Sequence, residues 1–153
     1  MLPGLKAVLN FHPIFVHFPI VLWLAALLFE FLAVWRSSED AQRMASRSLY
    51  LGTLGAIVAV LSGLAAQASV PPGDAQRIVG IHETFMLIST SLAVGLCLFA
   101  FFAGKNFTAG SRRLLLLGLA LLAVLLTIGS DRGAQLVYGY GTAVNWATAE
   151  QQK

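Results

Sequence analysis

Four long apolar runs divide this chain of 153 residues. They cover residues 14–35, 49–68, 84–103 and 114–129, and each ends in charged residues, proline or glycine. A helix needs about 20 consecutive apolar residues to cross the hydrocarbon core of a bilayer. Charged residues make up only 11% of the chain, against about 25% in a soluble domain. The sequence therefore predicts an all-α membrane protein made of one domain.

The connections between the runs are short, which places consecutive helices antiparallel and adjacent in an up-down four-helix transmembrane bundle. Lysine and arginine are more frequent in loops on the cytoplasmic side of a membrane. Six of the ten lie in the first and third loops: Arg36, Arg43, Arg47, Lys105, Arg112 and Arg113. This bias predicts that both termini lie on the outer side of the membrane, which in a bacterium is the periplasmic side of the inner membrane.

The end of the chain differs from an ordinary hydrophilic terminus. Residues 130–147 read SDRGAQLVYGYGTAVNWA and include Tyr138, Tyr140 and Trp146. Aromatic residues of this kind lie at the headgroup level of a membrane. We expect a folded interfacial tail that covers the outer end of the bundle and brings Arg132 close to the histidines.

The chain has three histidines, and all three belong to one side of the predicted bundle. His12 and His17 lie at the start of the first span, and His82 lies at the start of the third. The first and third helices run in the same direction, so their starts are level. Ionisable residues at membrane depth are candidates for a functional site.

Imidazole is a good ligand for haem iron, copper and zinc. We expect His17 and His82 to hold haem b between two diagonal helices, with His12 beside a propionate or as a spare ligand. Arg132 would pair with a propionate or another anion through bidentate hydrogen bonds. The alternative metal site is a copper, zinc or iron ion bound by His12, His17 and His82 together. A third hypothesis is that the histidines bind no cofactor and only contact lipid headgroups.

Two further features belong to the spans. Glu30 is the only acidic residue inside one, and we expect an ion pair with Arg36 or Lys105, or a role in proton transfer. The second span carries a stripe of small residues that allows close helix packing or leaves room for a porphyrin plane. The stripe consists of Gly52, Ala56, Ala59, Gly63 and Ala66.

Several classes of protein are disfavoured. The single cysteine, Cys97, allows no intrachain disulfide and no CxxC motif, and is expected to be a buried small residue. The sequence has no basic patch interleaved with aromatics for nucleic acid. It also lacks GxSxG and a phosphate-binding GK[ST] loop.

Three segments carry a family resemblance: HPIFVHFPI at 12–20, IHETF around His82, and RGAQLVYGYGTAV at 132–144. Together they resemble a family of small bacterial membrane proteins known as domain of unknown function 2231. Ala134 and Ala143 stand where the family pattern suggests glycine. By position, the resemblance implies that the motif residues include His12, His17, His82, Arg132, Gly133, Tyr138 and Gly141.

The resemblance also implies a four-helix domain, joined in some members to cytochrome c-like or Rieske-like modules. The leading hypothesis is therefore a b-type cytochrome-like electron carrier rather than a stand-alone enzyme. It would work with quinone and a periplasmic cytochrome c-like or Rieske-like partner. The alternative is a cofactor-free accessory subunit of a larger respiratory or photosynthetic complex, and a homo-oligomer is left open.

Overall fold

The structure, a computed structural model, describes residues 12–67, 70, 72–104 and 107–142. They form four α-helices: α1 (His12–Arg36), α2 (Glu39–Gln67), α3 (Asp74–Ala103) and α4 (Ala109–Tyr140). Even α1, with 25 residues, exceeds the hydrocarbon thickness of about 30 Å at a rise of about 1.5 Å per residue. All four are long and apolar enough to cross a membrane, which confirms the predicted all-helical membrane fold.

Helices α2, α3 and α4 begin five to ten residues before the apolar runs that predict them. Hydropathy identifies only the part of a helix that matches the hydrocarbon, whereas the helix continues into polar surroundings. A hydroxyl cap marks the true start of α2 and of α4. Ser38 Oγ accepts the backbone N–H of Ala41 at 3.2 Å, and Thr108 Oγ1 accepts that of Ser111 at 3.1 Å.

The expected folded tail is wrong for residues 130–140, which continue α4 as far as Tyr140. Gly141 ends the helix in the left-handed conformation, with φ of 64°. Its N–H donates to Val137 O and the Thr142 N–H donates to Leu136 O, both at 3.0 Å. This pairing uses carbonyls that a helix end leaves unsatisfied. Residues 143–147, including Trp146, lie outside the described residues.

The helices pack as two hairpins, α1 with α2 and α3 with α4, which meet through α1–α4 and α2–α3 contacts. Helices α1 and α3 therefore lie on a diagonal of the bundle. Large apolar side chains such as Leu54, Leu61 and Phe102 point outward, where they face lipid. Between the helices lies a core of Trp23, Leu49, Leu96, Leu115, Leu119, Leu122 and Leu126 with small residues among them.

The small residues of α2 serve close packing against α1. A Cβ atom added at Gly52 would lie 2.8 Å from Trp23, and one at Gly55 would lie 2.6 Å from Phe18. Side chains of α1 therefore fill the space beside Gly52, a member of the stripe, and beside Gly55 next to it. The second expectation for this stripe, space for a porphyrin plane, stays a prediction.

The two hairpins repeat one another with an offset of 70 residues. The caps Ser38 and Thr108 are 70 residues apart (108 − 38), and so are the first residues of α2 and α4. Of the eleven buried positions in the first hairpin, nine recur as buried positions in the second. They are 19, 23, 26, 30, 45, 49, 52, 56 and 59, which match 89, 93, 96, 100, 115, 119, 122, 126 and 129. The domain is thus a tandem pair of equivalent helical hairpins.

Candidate functional site

His12 and His82 occupy equivalent positions of the two hairpins, and their side chains meet. The ring centroids are 6.5 Å apart and the ring planes are nearly perpendicular, at 80°. Both side chains are half-buried. Because they come from diagonal helices, the pair lies where the two hairpins face each other.

Hydrogen bonds through Nδ1 fix the orientation of both rings. His82 Nδ1 lies 2.7 Å from the carbonyl oxygen of Gly129, so this nitrogen carries the proton. His12 Nδ1 lies 3.0 Å from Ser62 Oγ, whose own hydroxyl donates to Ala59 O at 2.8 Å. The serine oxygen therefore accepts from His12. Assigned from this network, both neutral rings carry their lone pair on Nε2, the atom that can bind a metal.

The surroundings of the two rings also repeat. The backbone of Ala59, the position equivalent to Gly129, interacts with His12. Gly63 lies behind the His12 ring and Gly133 behind the His82 ring. In each case an added Cβ would be 3.0 Å from the ring Cε1. Glycine at both positions lets the imidazole lie directly on the neighbouring helix.

His17, the residue expected to pair with His82, lies elsewhere. Its side chain is exposed and its Nδ1 lies 2.7 Å from the carbonyl oxygen of Pro13 in its own helix. Five residues correspond to about 140° of net rotation around an α-helix, so His17 and His12 cannot share a face. Among the described residues, no group of three or more His, Cys, Asp or Glu side chains could hold a metal ion.

The other two predicted site residues, Arg132 and Tyr138, both lie on α4. Arg132 donates to Gln135 Oε1 at 3.0 Å and lies 3.8 Å from the Asp131 carboxylate, both in α4. Tyr138 is 89% exposed. Arg132 nevertheless lies next to Gly133 in the chain, at the same end of the bundle as His82.

The buried spacing of the first helix could have identified His12 as the inward-facing histidine. The buried residues Pro19, Trp23, Ala26 and Glu30 recur every three or four residues. Extending this spacing back by seven residues from Pro19 gives His12, whereas His17 falls between buried positions. Depth in the membrane alone does not specify the face of a helix.

Glu30 lies deep in the bundle, nearer its other end. It has 0% exposure, and neither carboxyl oxygen has a hydrogen-bond partner within the described part of the chain. The expected partner Arg36 instead lies over the ring of Trp35, and Lys105 is outside the described residues. The cation that interacts electrostatically with Glu30 is Arg112.

The fold and the paired histidines define a multi-pass membrane protein with a two-imidazole site between repeated hairpins. A family model described as "Predicted membrane protein (DUF2231)" matches residues 8–145, nearly the whole chain. The chain belongs to this family, as the HPIFVHFPI segment suggested. No curated protein and no solved structure matches it.

Proposed function

We propose that this protein is a b-type cytochrome-like electron carrier that binds haem b between His12 and His82. The main observation in support of this proposal is the distance of 6.5 Å between the centroids of the two imidazole rings. Two imidazoles on opposite sides of one metal ion have centroids about 6.3 Å apart when each metal–nitrogen bond is about 2.0 Å. His12 and His82 are thus close enough that they would be the residues that hold the haem iron.

The hydrogen bonds of the two rings support the same proposal. A metal-bound histidine almost always donates its other ring N–H to a carbonyl, a carboxylate or water, which orients the ring and raises its basicity. His82 donates to Gly129 O in this way, and His12 donates to Ser62 Oγ. In both rings, Nδ1 is therefore used in a hydrogen bond, and Nε2 is the nitrogen with a lone pair that can bind a metal.

Haem fits this donor set better than a bare copper, zinc or iron ion. Two imidazoles supply two ligands, and the four pyrrole nitrogens of a porphyrin supply the remainder. When bound, haem would supply a one-electron carrier at this end of the bundle. The protein's part would be to hold the haem through His12 and His82 and to exclude lipid from it.

The location follows from the positive-inside rule. Among the described residues, Arg36, Arg43, Arg47, Arg112 and Arg113 belong to the end opposite the histidine pair. In a bacterial inner membrane, this distribution supports a periplasmic location for the histidines. There a cytochrome c-like or Rieske-like protein would exchange electrons with the site, and quinone is a suitable membrane donor.

An optical spectrum tests the proposal. We expect the purified protein, after haem reconstitution and dithionite reduction, to show a Soret band and the sharp α-band of low-spin haem. His12→Ala and His82→Ala should each remove the low-spin spectrum. His17→Ala is the matched control, because it removes an exposed histidine of the same helix and should leave the spectrum unchanged.

The proposal fails if the protein shows no Soret band after reconstitution, or if His17→Ala removes the spectrum as completely as His12→Ala. Elemental analysis of the same sample distinguishes haem iron from bound copper or zinc.

A second candidate is a cofactor-free accessory subunit of a larger membrane complex. An outward-facing apolar groove of about 340 Å³ favours it, lined by Phe15, Phe18, Leu51, Leu54, Gly55 and Val58. Gly55 opens this groove, and the equivalent position of the second hairpin is Leu125. Co-purification with a large partner that is lost in Gly55→Leu, together with a featureless spectrum, would favour this candidate.

A further inference from the structure

The end of the bundle opposite the histidines contains a cavity of about 830 Å³. It opens between α2 and the junction of α3 with α4. One wall is apolar and includes Ala100, Phe101 and Phe107. The other wall is polar and includes Ser37, Gln42, Arg43, Ser46, Arg47 and Arg112.

The cavity carries a net positive charge, with three arginines and Glu39 as the acidic residue among its lining side chains. Arg43 lies 3.5 Å from the Glu39 carboxylate and 3.3 Å from that of Asp40, so its charge is balanced locally. Arg112 donates to Ala33 O at 3.1 Å and to Gln42 Oε1, and both acceptors are neutral. Its electrostatic partner, Glu30, is fully buried. Glu30 offsets part of the charge of Arg112, whereas Arg47 has no ion pair among the described residues and is the main source of positive charge in the cavity.

The repeat shows that this polar wall is particular to the first hairpin. Ser46, Arg47 and Tyr50 lie on one face of α2, where the equivalent residues of α4 are Leu116, Leu117 and Ala120. Arg47 lies eight residues after the first residue of α2, or about 12 Å along the helix. An arginine that only sets membrane orientation can lie nearer the start of its helix, as Arg113 does, four residues after the first residue of α4. A polar face this far along α2 is suited to a ligand in the cavity.

We propose that this cavity binds the phosphate headgroup of an anionic phospholipid. Guanidinium groups bind phosphate oxygens through paired, charge-assisted hydrogen bonds, and Arg47 and Arg112 supply two such groups on the polar wall. The apolar wall of Phe101 and Phe107 lies where an acyl chain would pass. Basic pockets between membrane helices on the cytoplasmic side bind such headgroups in general. The proposal is independent of the histidine site.

Native mass spectrometry of the detergent-purified protein tests it, with added phosphatidylglycerol compared with phosphatidylcholine of the same acyl chains. We expect preferential retention of phosphatidylglycerol. Arg47→Gln should weaken this retention about fivefold, as expected for one arginine near an anionic lipid. The double variant Ser46→Leu/Arg47→Leu copies the second hairpin and should weaken it at least as much, while keeping a lipid-compatible helix.

Arg113→Gln is the matched control, because Arg113 is exposed and adjacent to Arg112 but does not line the cavity. It should leave retention within about twofold, a change smaller than one lipid-contacting arginine contributes. Displacement of the lipid by millimolar inorganic phosphate would support a phosphate site whose natural ligand is the free anion. Equal retention of the two lipids, or equal loss in Arg113→Gln and Arg47→Gln, would overturn the proposal.

Discussion

The two hairpins have the same plan but place their large core residues on different helices. In the first hairpin, Trp23 of α1 packs on Gly52 of α2. The equivalent positions of the second hairpin hold Ala93 and Leu122, both buried. One hairpin thus combines a very large residue with glycine, and the other combines a small residue with leucine. Either arrangement lets side chains fill the space between the two helices of a hairpin.

A second pair of positions also differs between the two hairpins. Leu96 of α3 packs on Gly118 of α4, where an added Cβ would lie 2.5 Å from Leu96. The first hairpin has Ala26 and Ser48 at these positions. The histidines and the glycines behind them, by contrast, are identical in both hairpins. Packing residues have diverged in pairs, whereas the imidazole pair has kept its chemistry.

Trp23→Ala should have the largest effect on stability. It empties the space above Gly52, and we expect the free energy of unfolding to fall by about 3–5 kcal/mol. Gly52→Leu alone should also destabilise, because its Cβ would lie 2.8 Å from Trp23. The double variant copies the second hairpin and should recover part of the loss. Unfolding in mixed detergent and sodium dodecyl sulfate measures the resulting double-mutant cycle.

Leu54→Ala serves as the control for this cycle, since Leu54 is 62% exposed and faces lipid. It should change stability far less than Trp23→Ala. If the double variant is no more stable than the sum of the two single changes predicts, then the pair found in the second hairpin cannot replace the Trp23–Gly52 pair of the first.

Substitutions of Gly63 and Gly133, the glycines behind the two imidazoles, test whether the two rings have equivalent packing. Gly63→Ala and Gly133→Ala each place a Cβ 3.0 Å from a ring Cε1, and overpacking of this kind costs about 1–3 kcal/mol. The two costs should be similar, because each ring lies at the same distance from the glycine behind it. Thermal unfolding in detergent measures both.

Gly95→Ala is the matched control, because nothing lies within 4 Å of the added Cβ in the middle of α3. It should stabilise the protein by about 0.5–1 kcal/mol through helix propensity. A large cost for Gly133→Ala with none for Gly63→Ala would show that the two imidazole environments differ.

The number of helices and their membrane character could be predicted from hydropathy, because long apolar runs leave few alternatives in a chain with so few charges. The site could be predicted only in part. Level histidines followed from parallel helices, but the choice of His12 over His17 depends on which face of α1 is buried. The helical end of residues 130–140 was missed because glycine and tyrosine there resemble a tail, although the apolar contact of buried Leu136 holds them in α4.

The repeat itself was hard to find in the sequence, since few residues are identical at an offset of 70. His12 with His82, Phe15 with Phe85 and Gly63 with Gly133 are among the matches. In a membrane protein, the many leucine, alanine and glycine residues make such matches common by chance. The recurrence of buried positions is more informative, because it requires the three-dimensional packing.

The smallest effect should come from the helix caps, where the hairpins are most alike. Ser38→Ala and Thr108→Ala each remove a hydroxyl that accepts a backbone N–H. Each should lower the free energy of unfolding by about 1 kcal/mol. Ser38→Asp and Thr108→Asp keep an acceptor at the same place and should retain most of the stability, which chemical unfolding in detergent can measure. Similar losses of stability in both alanine variants would show that the first turns of α2 and α4 are equivalent as well. If one alanine variant is neutral, then one of the two helices begins without its cap, and the equivalence holds only within the membrane.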